Sequence, residues 1–286
     1  MIDTMTVTRF APSPTGYLHL GHAFAAIVAR ENGEHFRLRI EDLDQGRARE
    51  EFVGAIFEDL AWLGLTWEEP VPRQSARMDA YRGALDRLAA EGLVYPCFCT
   101  RKEIAEEIAR AGEAPHPFDL VASRLGGEDG PLYPGTCRSL SQSVRDDAIA
   151  AGKPYVLRLD VAKAAAMVGP LTFLEYGKSR PADPLRFGDI VLARKDVPAA
   201  YHLAVVVDDA YQDVTLVTRG EDLLPATHVQ RLLQALLALP EPRYAHHRLI
   251  LDESGRKFSK RDQAVTLRAL RAAGQTPADI FALLGL

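Results

Sequence analysis

The stretch Arg9-Phe-Ala-Pro-Ser-Pro-Thr-Gly-Tyr-Leu-His-Leu-Gly-His22 joins a predicted strand, Val7–Phe10, to a predicted helix, His19–Asn32. Alanine and isoleucine fill the helix interior, and a glycine follows its last residue. A helix that starts after a strand and a loop presents free N–H donors and the positive end of its dipole, which together bind phosphate. The sequence predicts such a site at His19-Leu-Gly-His22, where Gly21 allows close approach to the backbone. The alternative is that both histidines only cap or pack the helix.

The pattern on the C-terminal side of this stretch continues the alternation of strand and helix. Residues 36–40 alternate and predict a strand, and the apolar residues of 52–63 recur at helical spacing. This order predicts an α/β fold with a doubly wound parallel sheet of the Rossmann type. Further predicted strands are 156–159 and 214–218, and further predicted helices are 227–239, 263–273 and 277–284.

The regular pattern is interrupted near Tyr95, and residues 111–138 are rich in Gly and Pro. We therefore predict a long insertion in the sheet. Residues 1–95 and 191–240 form the two halves of the nucleotide-binding domain, 96–190 form the inserted subdomain, and 241–286 form a loop with a short helical C-terminal segment.

Composition restricts the class of protein. The net charge of −5 argues against broad coating of nucleic acid, although an RNA partner could dock on a local basic face. No apolar run reaches the roughly 18–20 residues that span a bilayer, and the N-terminus lacks the pattern of a signal peptide. We expect a cytoplasmic monomer that does not contact membranes.

A second candidate motif is Lys257-Phe-Ser-Lys-Arg261, in a polar loop after Leu249-Ile-Leu251. Two lysines that flank a serine suit a mobile loop that closes over a triphosphate. The alternative is a solvated basic turn, which is the usual meaning of a charge cluster.

These two motifs resemble the HIGH and KMSKS signatures of class I aminoacyl-tRNA synthetases. The run Arg9–Gly16 followed by Leu18–His22 is similar to the glutamyl and glutaminyl branch. Phe258 stands where that family commonly has Met, which is a mild departure because both are apolar. Further matching strings are Arg39–Asp44, Tyr201–Asp208 and Thr218–Asp222.

The resemblance implies an ATP site and a glutamate site. The ATP-binding residues would be His19, Gly21, His22, Lys257, Ser259 and Lys260, of which His19, His22 and Lys260 would be catalytic because they stabilise charge that develops on the triphosphate. The glutamate-binding residues would be Arg9, Phe10, Ala11, Pro12, Ser13, Glu41, Tyr201 and Arg219. Arginine matches a carboxylate, Glu41 would hold the ammonium, and Ser13 and Tyr201 would supply hydroxyls. Alternatively, polar groups at strand ends satisfy loop backbone.

The cysteines suggest a metal site. Cys97-x-Cys99 with Tyr133-x-x-x-Cys137 resembles a structural zinc site of three thiolates and a tyrosine. From chemistry alone, His116 or water is an equally reasonable fourth ligand, and three unrelated buried cysteines are the alternative. Zn²⁺ would tie the insertion together, and Mg²⁺ would accompany ATP.

The acceptor is inferred from the length of chain that follows the second motif. Only 286 − 261 = 25 residues follow Arg261, where a glutamyl-tRNA synthetase carries its anticodon-reading domain. In this respect the chain resembles the glutamyl-Q tRNA(Asp) synthetases, which implies transfer of activated L-glutamate to queuosine in the tRNA(Asp) anticodon loop.

Three other functions remain open. They are a truncated glutamyl-tRNA synthetase that charges a 3′ end, a non-catalytic paralogue that binds RNA or glutamate, and, more distantly, another HxGH nucleotidyltransferase. A basic stretch could meet the phosphates of an anticodon stem-loop, or it could be a solvated face. It consists of Arg243, His246, His247, Arg248, Arg256 and the Lys257–Arg261 loop.

Overall fold

A computed structural model describes residues 5–100, 102–104, 106, 132–194, 197, 199–251 and 265–286. The Lys257–Arg261 motif, Arg256 and His116 lie outside these ranges. No helix within them is long and apolar enough to cross a membrane.

The first half of the fold is a parallel strand pair flanked by helices. Strand β1 (Val7–Phe10) pairs in parallel with β2 (His35–Leu38), and helices α1 (Leu20–Glu31) and α2 (Glu50–Trp62) follow them. Both helix predictions and the β1 prediction are confirmed. The predicted strand at 36–40 ends earlier, because Ile40 leaves the ladder and forms an isolated parallel bridge with the segment near residue 73.

The second half of the fold lies beside β1. Helix α6 (Tyr201–Tyr211), strand β8 (Leu216–Gly220), helix α7 (Leu224–Leu236) and strand β9 (Arg243–His247) follow one another, and β8 pairs in parallel with β9. The Thr215 amide donates to the Val7 carbonyl at 3.0 Å, which places β8 next to β1.

The middle of the chain adds antiparallel pairings, and of its strands the sequence predicted only β4. Strand β5 pairs in parallel with β9 and antiparallel with β6, and β3, β4 and β7 form a separate antiparallel sheet. The predicted strand at 156–159 is confirmed as β4. The elements are α3 (Met78–Ala90), β3 (Val94–Cys97), α4 (Gln142–Ala150), β4 (Val156–Leu159), α5 (Val161–Val168), β5 (Leu171–Glu175), β6 (Lys178–Ala182) and β7 (Val191–Arg194).

The C-terminal segment packs on the first half. Helices α8 (Leu267–Ala272) and α9 (Pro277–Leu284) contribute fully buried side chains to the apolar core around α1 and α2. The prediction of α9 is confirmed. Helix α8 begins later than the predicted residue 263, because the Thr266 hydroxyl accepts from the Ala269 amide and caps its N-terminus.

Candidate active site

The loop after β1 lies against the segment after β2. The Arg39 amide donates to the Phe10 carbonyl at 3.1 Å, and the Glu41 amide donates to the Pro12 carbonyl at 3.0 Å. The side chains of Phe10 and Pro12 are buried, Ala11 is half-buried and Ser13 is exposed. Phe10 packs in the core around α1, so it can offer a ligand only its main chain.

A buried ion network joins these segments to α6. Arg39, with no exposed surface, donates to Asp209 at 2.8 Å and to Glu41 at 3.1 Å. Arg9 donates its Nε to the same Asp209 oxygen at 3.0 Å. Burial opposes ionisation of Asp209, but Arg9 and Arg39 outweigh it and hold the pKa below its ordinary value. Burial raises the pKa of Glu41, although Arg39 lies beside it. Arg9 is therefore already paired within the protein.

The neighbouring residue of α6 ties this network to α3. Asp208 is fully buried and accepts from Arg77 Nε at 2.7 Å and from the Tyr81 hydroxyl at 2.8 Å. Gln74 Nε2 donates at 2.9 Å to Oδ2, the oxygen that accepts from Tyr81, while Arg77 bonds to Oδ1, so both oxygens of the carboxylate are satisfied. These bonds fix α6 against α3 and the segment that precedes it.

Arg219, the second cationic candidate, lies near the end of β8 in a different setting. Its side chain is buried and donates to neutral acceptors: Nε to His246 Nε2 at 3.1 Å, Nη1 to Gln230 Oε1 at 2.8 Å, and Nη2 to Thr227 Oγ1 at 2.7 Å. Within the described residues, these bonds use three of its five N–H groups. The Gln230 Nε2 amide beside it is buried with no hydrogen-bond partner there. This corner therefore has donors and positive charge for an anionic ligand.

Tyr201 is the first residue of α6, half-buried against the core of α3, α6 and α7. The Ala200 amide before it donates to the Leu192 carbonyl at 2.6 Å, which fixes the start of the helix. Tyr201 thus lies about two turns before Asp208 and Asp209 on the same helix.

The two histidines at the start of α1 form a reciprocal cap. The Gly21 amide donates to His19 Nδ1 at 3.1 Å, and the His19 amide donates to His22 Nδ1 at 3.2 Å. The ring centroids are 3.8 Å apart. Because each Nδ1 accepts, a neutral ring carries its proton on Nε2, which is then a donor directed away from the cap. Both histidines therefore do cap the helix, and this cap fixes the orientation of both rings.

Thr266 and Leu267, which follow the lysine-containing motif in the sequence, lie next to the start of α1. The Leu267 amide donates to the Leu18 carbonyl at 2.8 Å, and Thr266 forms a bridge with His19. Thr266, 266 − 261 = 5 positions after Arg261 in the sequence, therefore lies beside the histidine motif.

The cysteines form a cluster between β3 and the start of α4. The three Sγ atoms of Cys97, Cys99 and Cys137 lie within 4.8 Å of one another, and Cys99 Sγ is 3.7 Å from the Tyr133 hydroxyl. Tetrahedral thiolates at about 2.3 Å from zinc would be separated by about 3.8 Å, so the donor set fits a closed site. The distance between Cys99 and Cys137 Sγ, 3.4 Å, is far too long for a disulfide. The cluster could therefore hold a metal ion.

The basic stretch needs a correction. His246 is buried, and burial together with Arg219 lowers its pKa to about 4, so it is neutral at physiological pH and cannot meet a phosphate. Arg243 and Arg248 are exposed. His246 instead belongs to the Arg219 corner, which the sequence analysis missed. The available signal was the position of His246 on a strand that alternates buried and more exposed residues.

Comparison with known proteins identifies the family of the chain. Residues 5–286 match the family of class I tRNA synthetases (E and Q), catalytic domain. The chain is 47% identical to the glutamyl-Q tRNA(Asp) synthetase of Rhodobacter capsulatus, over 98% of this chain and 100% of the relative. It is 40% identical to the glutamate–tRNA ligase of Aquifex aeolicus, over 96% of this chain and 55% of the relative.

A solved structure shares the fold. The glutamate tRNA ligase of Elizabethkingia meningosepticum, in complex with its amino acid, is 28% identical with a TM-score of 0.67, and the match covers 90% of this chain and 52% of that one. The full-length family match and these relatives show that the chain belongs to the class I tRNA synthetases of the glutamyl and glutaminyl type, a family of ligases.

Proposed function

We propose that the protein activates L-glutamate with ATP and transfers it to queuosine in the anticodon loop of tRNA(Asp). The observation that carries the choice of glutamate is Arg219, a buried cation bonded to neutral acceptors. An amino acid with a side-chain carboxylate would supply the missing negative charge through a two-pronged contact. Glu41, next to the loop after β1, would then hold the ammonium, while Arg9 orders the site through Asp209.

Activation needs no nucleophile from the protein. The α-carboxylate of glutamate attacks the α-phosphorus of ATP, a new O–P bond forms, and the bond to pyrophosphate breaks. The Nε2–H groups of His19 and His22 donate to phosphate oxygens as charge develops, and Lys260 with Lys257 and Ser259 would bind the triphosphate. Bound Mg²⁺ would supply charge neutralisation of the pyrophosphate.

Glutamate-dependent exchange between ATP and pyrophosphate tests the activation step. We expect exchange in the wild-type protein and a loss of about 100-fold or more in Lys260→Ala, since removal of one preorganised charge contact costs that much. Near-normal exchange in Lys260→Ala would refute the role of this lysine.

The acceptor is supported by relatives. Two relatives named glutamyl-Q tRNA(Asp) synthetase, from Rhodobacter capsulatus and Nocardia farcinica, are 47% and 44% identical and match over 100% and 82% of their lengths. The test is to incubate the enzyme with labelled glutamate and tRNA that contains or lacks queuosine, with periodate treatment as a control. Labelling of tRNA(Asp) only when queuosine is present supports the proposal. Labelling of queuosine-free tRNA(Glu) would instead establish a 3′-charging ligase.

We also propose that Zn²⁺ binds Cys97, Cys99 and Cys137, with Tyr133 as the fourth ligand, and ties together an RNA-facing subdomain of residues 96–190. Three clustered thiols support this assignment, because thiolates are preferred zinc ligands. Metal analysis of the purified protein should find one zinc per chain, and Cys137→Ser should lose it. Retention of zinc by Tyr133→Phe would exclude the tyrosine as a ligand and favour His116 or water. A zinc-free protein with three freely titrating thiols would contradict the site.

A further inference from the structure

The Arg219 corner contains two buried groups to which the proposed activity assigns no role, Glu175 on β5 and His246 on β9. His246 Nδ1 lies 2.8 Å from Glu175 Oε2, and the His246 amide donates to Glu175 Oε1 at 3.1 Å. The opposite edge of the imidazole, Nε2, accepts from Arg219 Nε at 3.1 Å. The side chains of Glu175 and His246 are 2% and 1% exposed, so solvent does not screen these contacts.

The strand pairing brings the side chains of Glu175, His246 and Arg219 together. Arg219 and His246 are directly paired in the β8/β9 ladder, and Glu175 reaches them from β5, which pairs with β9 on its other side. Side chains of neighbouring strands at paired positions lie on the same face and within contact distance. Arg219, His246 and Glu175 therefore lie on three adjacent strands, and the strand pairing holds them rigidly.

The hydrogen bonds fix the tautomer of His246. A carboxylate only accepts, so the proton must be on Nδ1, and Nε2 must present a lone pair to Arg219. The Thr227 hydroxyl, 3.2 Å from Nε2, completes the corner by accepting from Arg219 Nη2. The reversed tautomer would place an N–H against the guanidinium and push it out of position.

We infer that Glu175 and His246 are positioning residues that aim Arg219 at the substrate side chain and thereby set the preference for a carboxylate over an amide. The negative charge of Glu175 stabilises the buried corner but acts through the neutral imidazole, so within the described residues two of the five N–H groups of Arg219 remain for a substrate. An incoming carboxylate meets an arginine that forms no direct ion pair with any residue the structure describes, and a side-chain amide would leave the positive charge of this arginine uncompensated. This inference rests on the proposed use of glutamate.

The variants are chosen to separate positioning from mere packing. His246→Asn keeps a donor toward Glu175 but removes the acceptor for Arg219. His246→Gln can place an amide oxygen near the former Nε2 and accept from Arg219. Glu175→Gln allows the reversed tautomer. The matched controls are His35→Asn and Glu68→Gln, which break a second His–Glu pair on β2, away from Arg219.

The kinetic test is ATP–pyrophosphate exchange with glutamate and with glutamine. His246→Asn and Glu175→Gln should raise the KM for glutamate about 10- to 100-fold and reduce discrimination against glutamine by a similar factor, with the KM for ATP changed less than about two-fold. His246→Gln should recover part of the loss. Parallel changes in both KM values, or equal effects of the His35 and Glu68 controls, would overturn the inference.

A measurement without substrate separates this inference from the proposed function. In ¹⁵N-histidine NMR spectra, with His246 assigned by its loss in His246→Asn, the wild type should show the Nδ1–H tautomer, and Glu175→Gln should shift it. An Nε2–H tautomer or a charged His246 ring at neutral pH would overturn the positioning role of Glu175 and His246, whatever the activity. If the predicted tautomer is found but glutamate-dependent exchange is not, the arrangement of Glu175, His246 and Arg219 is supported and the proposed function is refuted.

Discussion

At the scale of single residues, the protein contains buried charges that are compensated to very different degrees. Arg39 is completely buried, and its hydrogen bonds to the carboxylates of Asp209 and Glu41 compensate its charge. Asp59 on α2 is 1% exposed, and its nearest cation, Arg271, approaches only to 3.8 Å. Burial raises the pKa of Asp59 from 3.8 to about 6. Its charged form is thus a destabilising feature at neutral pH.

We predict that Asp59→Asn stabilises the protein above the pKa of about 6. Because the folded pKa is raised, Asp59 contributes stability below its unfolded value of 3.8 and loses it as pH rises through about 6. The gain should be about 1–2 kcal/mol, less than the full shift implies, because Arg271 and solvent screen the charge. Urea unfolding at about pH 8 and pH 4.5 measures it, and the gain should shrink at the lower pH.

Glu58→Gln is the matched control. Glu58 is exposed and lies 3.4 Å from the same arginine, so its replacement should change stability by less than about 0.5 kcal/mol at either pH. A destabilised Asp59→Asn at the higher pH would show that the Arg271 contact outweighs the cost of burial.

At the scale of elements, the start of α1 combines two demands, helix capping and ring orientation. Gly21 lies in the first turn, where a Cβ would come within 3.1 Å of His19 Cε1 and 3.2 Å of its Nδ1. Glycine costs a helix roughly 1 kcal/mol relative to alanine, so its presence is not explained by helix stability. Its absence of a side chain keeps the His19 ring in the capping position.

We predict that Gly21→Ala leaves the melting temperature unchanged or higher but reduces glutamate-dependent exchange by about 10- to 100-fold. The added methyl displaces the His19 ring, and small misplacements of a catalytic group cost this much. Gly54→Ala in α2 is the control, since its Cβ would meet nothing within 4 Å. It should raise stability without affecting exchange. Full activity in Gly21→Ala would show that the His19 ring position is not critical.

The elements also show what sequence patterns can and cannot determine. Strands β1 and β4 and helix α9 match their predicted bounds because apolar periodicity and capping residues agree there. Strand β8 begins two residues later than the predicted Val214, because the Val214 amide bonds to the Asp209 carbonyl in a turn where Asp213 has a φ of 54°. Valine favours a strand, but a tertiary turn decides the boundary.

In the candidate site too, local sequence patterns determine some features and tertiary contacts determine the others. The local strings place Glu41 and Arg219 at predicted strand ends and assign them, with Arg9, to one glutamate site, and that assignment stays a prediction. The pairing of Arg9 with Asp209 and of His246 with Glu175 joins positions 209 − 9 = 200 and 246 − 175 = 71 apart in sequence. No local pattern contains such a contact, and His246 was consequently grouped with exposed basic residues.

At the scale of the whole molecule, the two ends of the described chain share one core. Leu267, Ile280 and Leu284 of the C-terminal helices are buried among the apolar side chains of α1 and α2. The same helices follow the Thr266 bridge to His19. Packing of the C-terminal segment therefore supports the helix start that the proposed phosphate contacts require.

We predict that Ile280→Ala lowers the free energy of unfolding by about 2–5 kcal/mol, the usual loss for removal of a fully buried aliphatic side chain. Ile280 has no exposed surface, whereas Leu283 in the same helix is 59% exposed. Leu283→Ala should cost less than about 0.5 kcal/mol. Chemical denaturation of both variants checks this, and equal stabilities would mean that α9 is not docked in solution.

The position of β5 has a consequence for anyone who wishes to build a smaller catalyst from this scaffold. Strand β9 lies between β8 and β5, and β5 brings Glu175 from the middle of the chain. A shortened version without residues 96–190 would lack β5, expose the backbone edge of β9 that β5 covers, and favour self-association. Successful miniaturisation must therefore retain Leu171–Ala182, even if the surrounding segment is replaced.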